Sequence, residues 1–136
     1  MIIRIFPPLR RITRRRRRKA VPDEALRAEA KAWLKPRLAE LAAKYGFTYN
    51  KVFIRNNLTN WGSCSNRGNI SLNMQLMRLP EELRDYVILH ELCHLKQLNH
   101  GAEFHALLDS LCGGREKELR RQLRKYHIGV NGASAS

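Results

Sequence analysis

From Ala25 to Ala42 apolar residues recur with helical spacing (Leu26, Ala30, Trp33, Leu34, Leu38, Leu41), the stripe of an amphipathic helix. Asp23 and Glu24 after Pro22 mark its start, and Gly46 supplies a stop, so the pattern predicts a helix over 24–45. Pro36 falls inside it and predicts a kink or two abutting helices there. The period then shortens. Residues 48–55 alternate in the manner of a strand, 61–65 form a second extended piece, and 70–73 a third. Asn66-Arg67-Gly68-Asn69 between the last two is hairpin chemistry. Three short antiparallel strands are the expected sheet.

Pro80-Glu81-Glu82 opens another helix, with acids at the positive end of its dipole. Leu83, Tyr86, Val87, Ile88, Leu89, Leu92, Cys93 and Leu95 occupy nearly every angle of its wheel, which predicts a central, buried helix running until residues 99–101 break it. Helices over 102–111 and 115–126, joined by Gly113-Gly114, complete an α+β domain. Its expected limits are 22–128, between an arm at 1–21 and a small-residue tail at 129–136, both expected to be flexible.

Charge sharpens this division. The 136 residues hold 26 Lys and Arg against 12 Asp and Glu, and nine of those cations fall in the first 20 positions without one acid. Arg14, Arg15, Arg16, Arg17, Arg18 and Lys19 form the densest run. Such a run neutralises phosphates without reading sequence, so non-specific nucleic-acid contact is one expectation for it; a solvated tail is the other. No apolar stretch approaches the roughly 18 residues of a membrane span. The three cysteines and the lack of a leader-like apolar run in the first 20 residues point to free thiols in a reducing, cytoplasmic setting.

The buried helix carries His90-Glu91-Leu92-Cys93-His94. Histidines at i and i+4 lie about 40° apart around the wheel and one turn apart along it, a spacing that suits one tetrahedral Zn²⁺. Glu91, beside the first ligand, is placed to act on water rather than on the metal: the HExxH arrangement of zinc hydrolases. Left without partners, two imidazoles and a carboxylate on so apolar a helix would be costly, and a metal satisfies both rings together. His100, ten residues after His90, is the expected third ligand, with Glu103 and Asp109 as rivals. Position 97 is Gln where HExxHxxGxxH proteins have Gly, so Asn99 and Gly101 are the expected means of turning the chain back. His105 is a candidate oxyanion donor and Arg55 a candidate contact for an anionic substrate group. Ligation needs neutral imidazoles, so affinity is expected to fall below about pH 6.

Trp61-Gly62-Ser63-Cys64-Ser65, Gly68-Asn69-Ile70-Ser71-Leu72-Asn73, Pro80, the segment Tyr86-Val87-Ile88-Leu89-His90-Glu91-Leu92-Cys93-His94-Leu95, Asn99-His100 and Phe104 together resemble the YgjP-like metallopeptidase family of small zincins. The resemblance implies a minimal zincin fold, with a small antiparallel sheet over an active-site helix and further helices behind. It also implies zinc on His90, His94 and His100, Glu91 as catalytic base, and the 61–65 segment as cleft wall. His105 stands where the family commonly has Trp, and the arm replaces a longer β-rich N-terminal region. The activity so implied is zinc-dependent hydrolysis of peptide bonds. The alternatives are a zinc-dependent nucleoside triphosphate pyrophosphatase, and a DNA-associated zinc protease or binding module recruited by the arm.

Overall fold

The structure, a computed structural model, describes residues 2–4 and 24–128. Most of the basic arm, the Asp23 cap and the 129–136 tail lie outside the described residues.

Helix α1 (Glu24–Tyr45) turns Ala30, Leu34, Leu38, Leu41 and Ala42 inward. It is one continuous helix despite Pro36. Both Pro36 and Ala32, whose carbonyl the missing N–H would have met, lie on the exposed face, where water takes the place of the lost bond. At its end Gly46 adopts φ +75° and Phe47 N–H reaches back to the Ala42 carbonyl at 2.8 Å. Arg37 grips Asp85 with two hydrogen bonds, Nε to Oδ1 at 2.8 Å and Nη2 to Oδ2 at 2.7 Å, which fixes α1 to the central helix.

The sheet has four strands in the order β1-β3-β4-β2, formed by β1 (Ile2–Arg4), β2 (Val52–Arg55), β3 (Gly62–Ser65) and β4 (Ile70–Asn73). It is mixed, which corrects the expectation of three antiparallel strands. β3 and β4 form the foreseen hairpin, with Cys64 opposite Ile70, but β2 runs parallel to β4, with Val52 opposite Ile70 and Arg55 opposite Asn73. The reason lies in residues 56–61, which carry the chain past β4 instead of turning it back. Asn57 Oδ1 accepts from Thr59 N and Asn60 N, and the buried Asn73 amide donates to the Asn57 and Asn60 carbonyls at 2.7 and 3.0 Å. The first residues of the arm also enter the sheet, with Ile3 paired antiparallel to Cys64.

A 3₁₀ turn (Met74–Arg78), capped by the Asn73 side chain, leads into helix α2 (Glu81–Cys93). Pro80 is its N-cap rather than its first helical residue. Residues Tyr86 to Cys93 are all buried, as the wheel required. Helices α3 (Ala102–Leu111) and α4 (Glu116–Leu123) pack behind, with Gly113 and Gly114 at φ +64° and +84° reversing the chain between them. No helix among the described residues is long and apolar enough to cross a membrane.

Candidate metal centre

The motif helix stops earlier than its apolar run suggested. His94 N–H bonds the Glu91 carbonyl, Leu95 N–H that of Leu92 and Lys96 N–H that of Cys93, so the last turn tightens to 3₁₀ spacing directly after the motif. His94 itself keeps right-handed helical angles, φ −67° and ψ −16°, and the one-turn relation between the two histidines survives. The chain then returns through residues 97–101 without regular structure. No non-glycine residue among those described has positive φ, and Gly101 sits at φ −89°, so the expected left-handed turn at Asn99 and Gly101 is not used. Gln97 serves instead: its N–H reaches the Cys93 carbonyl at 2.9 Å, and its own carbonyl accepts from His94 Nδ1 at 3.1 Å.

That last bond settles which face of His94 is free. With Nδ1–H committed to a carbonyl, the lone pair of the neutral ring lies on Nε2. His94 Nε2 lies 3.1 Å from His100 Nε2. The ligand atoms of His90, His94 and His100 all fall within 4.8 Å of one another. Two nitrogens bound tetrahedrally at 2.0–2.1 Å to one zinc stand about 3.3–3.4 Å apart, so the His94–His100 pair is already at that spacing and His90 lies close enough to complete the set. Among the described residues this is the group of histidine, cysteine and acidic side chains that converges in this way. Glu103 is exposed, and Asp109 Oδ1 accepts from Glu116 N; neither of the acidic rivals joins it.

Phe104 orders the three rings, a role that its place in the sequence did not reveal. Fully buried on α3, it stacks on His94 (centroids 4.5 Å apart, 24° between planes). It meets His90 and His100 edge-on at 4.8 and 4.9 Å. An apolar ring thus floors the cluster and excludes water from behind it.

Glu91 is fully enclosed, and neither of its carboxylate oxygens finds a hydrogen-bond partner among the described residues. Burial alone holds its carboxyl well above the ordinary range. Burial also pushes His90 well below the usual imidazole range, helped by the neighbouring His94, His100, His105 and Arg120. His94 falls to about 4, through burial and then His100, against the opposing carbonyl bonds from Gln97 and Leu98. Both rings therefore remain neutral and able to ligate well below pH 6, lower than reference values suggest.

His105 lies beside the cluster, its ring centroid 6.4 Å from that of His100. Its Nδ1 is buried and faces Glu116 Oε1 at 3.5 Å, too far for a good hydrogen bond, while the residue as a whole is half exposed. Glu116 is itself buried and accepts from the Tyr86 hydroxyl at 2.9 Å. Arg55 lies elsewhere, on the edge strand β2, with Nε donating to Ser71 Oγ at 3.2 Å and its guanidinium over the Phe53 ring at 4.9 Å. The sheet order separates it by two strand positions from β3, whose Cys64 feels the charge of Glu91. The three cysteines are free, and burial pushes each thiol up to about 12, which makes them unreactive packing groups.

Neither the comparison with curated proteins nor that with solved structures gives a match. A family model does match: YgjP-like, metallopeptidase domain, over residues 8–126, from the basic arm to the turn after the last helix. With most of its length matched, the chain belongs to the YgjP-like metallopeptidase domain family.

Proposed function

We propose that the protein is a zinc-dependent peptidase in which His90, His94 and His100 hold the ion and Glu91 is the general base. One observation carries the reading: three imidazole donors converge beside a fully enclosed carboxylate whose oxygens have no partner among the described residues. A structural zinc would be closed by four protein ligands, whereas three leave a position for water and substrate. A zinc ion bound there supplies Lewis acidity, polarising the scissile carbonyl and making water reactive near neutral pH.

Glu91 accepts the proton of the attacking water and passes it to the departing amine. Desolvation raises its proton affinity above that of an ordinary carboxylate, the direction that favours a general base. His94 is locked in one tautomer by Gln97, so its ligating nitrogen requires no rearrangement. His105, with Nδ1 turned toward Glu116, presents the rest of its ring beside His100 and is the candidate donor to the oxyanion. β4 cannot take an extended substrate as an added strand, because β2 and β3 flank it on both sides. β3 is also flanked, by β4 and by β1, but β1 is only three residues long, so the β1 side of β3 is the better candidate. Ser65 N–H bonds Asn69 of the hairpin at 2.8 Å, so the alternate residues Gly62 and Cys64 turn their main-chain groups outward. Ile2–Arg4 pairs along that edge, and a substrate takes it only when β1 leaves.

The test is metal analysis of purified protein, then incubation of zinc-loaded wild type and Glu91→Gln with casein and with nucleoside triphosphates. Stoichiometric zinc in both proteins, with casein cleaved by the wild type alone, is the expected result. Pyrophosphate release without peptide cleavage would transfer the same residues to phosphoryl chemistry.

A further inference from the structure

The last helix carries a charge pattern that the metal centre does not use. Lys117, Arg121, Arg124 and Lys125 are all exposed, and none forms an ion pair with a described residue. Positions i, i+4 and i+7 fall within about 60° of one another around a helix, so Lys117, Arg121 and the C-cap Arg124 share one outward face, and Lys125 follows in the closing turn, its N–H on the Gln122 carbonyl at 3.1 Å. Arg124 continues the helical geometry at φ −62° and ψ −16°, which keeps it in line with the others. The two acids of α4 are occupied elsewhere: Glu118 pairs with Arg115, and Glu116 is buried against Tyr86. The opposite face, Leu119 and Leu123, is buried in the core.

Only part of this arrangement stabilises the helix. The dipole favours Arg121, Arg124 and Lys125 near its C-terminal end, but cations at such spacings repel one another, and Lys117 sits in the first turn, where the dipole disfavours positive charge. A solubilising surface would mix the two signs, as α1 does with Glu29, Lys31, Lys35, Arg37, Glu40 and Lys44. We infer that this face of α4 is a docking surface for the phosphate backbone of a duplex nucleic acid. Its length fits: eight residues of helix span about 12 Å, alongside three or four phosphates of one strand. A bilayer fits less well, because binding there adds apolar insertion to charge. The large apolar side chains exposed among the described residues are Phe53 and Leu98, and neither lies on this helix. No base-reading aromatic or amide side chain stands within the four-cation stripe, so binding is expected to be indifferent to sequence. The acid-free run of cations in the first 20 residues supplies the same chemistry at the other end of the chain.

The proposal stands apart from the peptidase reading, and its test reads binding rather than turnover. Anisotropy of a short labelled duplex DNA is followed against salt with the full-length, zinc-loaded protein. In the variant Lys117→Gln/Arg121→Gln/Arg124→Gln/Lys125→Gln, the slope of log K against log salt is expected to flatten by about 3 to 4, and by about 1 in each single variant. A charge-matched control, Lys31→Gln/Lys35→Gln/Lys51→Gln/Arg67→Gln, removes four exposed cations from other elements and should change the slope by less than about 1. A cooperative thermal transition retained by the stripe variant shows that its fold is intact. Equal losses in the two quadruple variants would reduce the effect to net charge and overturn the proposal. So would unaltered DNA binding by the stripe variant, alone or with lost binding to phosphatidylserine vesicles.

Discussion

Replacing Glu91 should move stability and turnover in opposite directions, and the sizes follow from its surroundings. The carboxyl is fully enclosed with neither oxygen paired among the described residues. An unsatisfied buried polar group costs about 1–3 kcal/mol, which an apolar side chain of similar length, as in Glu91→Met, does not incur. For 136 residues the unfolding entropy converts 1 kcal/mol into about 3–4 °C, so the metal-free Glu91→Met protein should melt about 3–12 °C above wild type. The gap depends on pH with a definite sign. The unfolded chain ionises this group near 4.5 while the folded chain holds its proton to higher pH, so Glu91's contribution to wild-type stability falls as pH rises above about 4.5, a loss the variant lacks. With zinc restored, Glu91→Gln should lose about 10²–10⁴-fold in turnover, or about 3–5 kcal/mol of transition-state stabilisation. Calorimetry in chelator and casein hydrolysis with zinc measure the two effects. A lower Tm for Glu91→Met would mean that the carboxyl has partners in the folded state. Full activity of Glu91→Gln would remove it from the mechanism.

His94 gives the opposite pH slope. Its folded value of about 4 lies below the unfolded 6.5, so metal-free stability is complete above pH 6.5 and falls by roughly 3 kcal/mol as pH drops toward 4; chemical denaturation in chelator across that window checks it. His100 is exposed, so His100→Ala should change metal-free stability by less than about 0.5 kcal/mol while weakening zinc binding strongly, as titration calorimetry would show. Tyr86→Phe removes the 2.9 Å bond to buried Glu116 and should cost about 1–3 kcal/mol in urea unfolding; no loss would mean that this pair contributes nothing. Asn73→Ala breaks three hydrogen bonds that hold the 56–61 loop and cap the 3₁₀ turn. A cost of about 2–4 kcal/mol is expected, and faster exchange of the Gln75 amide should accompany it.

The chain's own pattern settled what depends on local chemistry. Helical periods placed α1 and α2, Gly46 and Gly113-Gly114 marked two stops, Asn66-Arg67-Gly68-Asn69 gave the hairpin, and His90-Glu91-x-x-His94 gave two donors and a carboxylate on one helix. These features are legible because residues a few positions apart on a regular element have a fixed geometry. Tertiary structure decided the rest, through contacts between segments that sequence order does not relate. The parallel pairing of β2 with β4 depends on Asn73 holding a loop 13 and 16 residues away. Gln97, in the place of a motif glycine, turns the chain through its main-chain groups, which carry no side-chain signature. Phe104 enters the sequence only as one residue of the family resemblance, and it is the return of α3 that sets it against three imidazoles. His100 was expected from spacing, but only folding brought its Nε2 to 3.1 Å from that of His94, because an irregular segment has no period from which a distance follows.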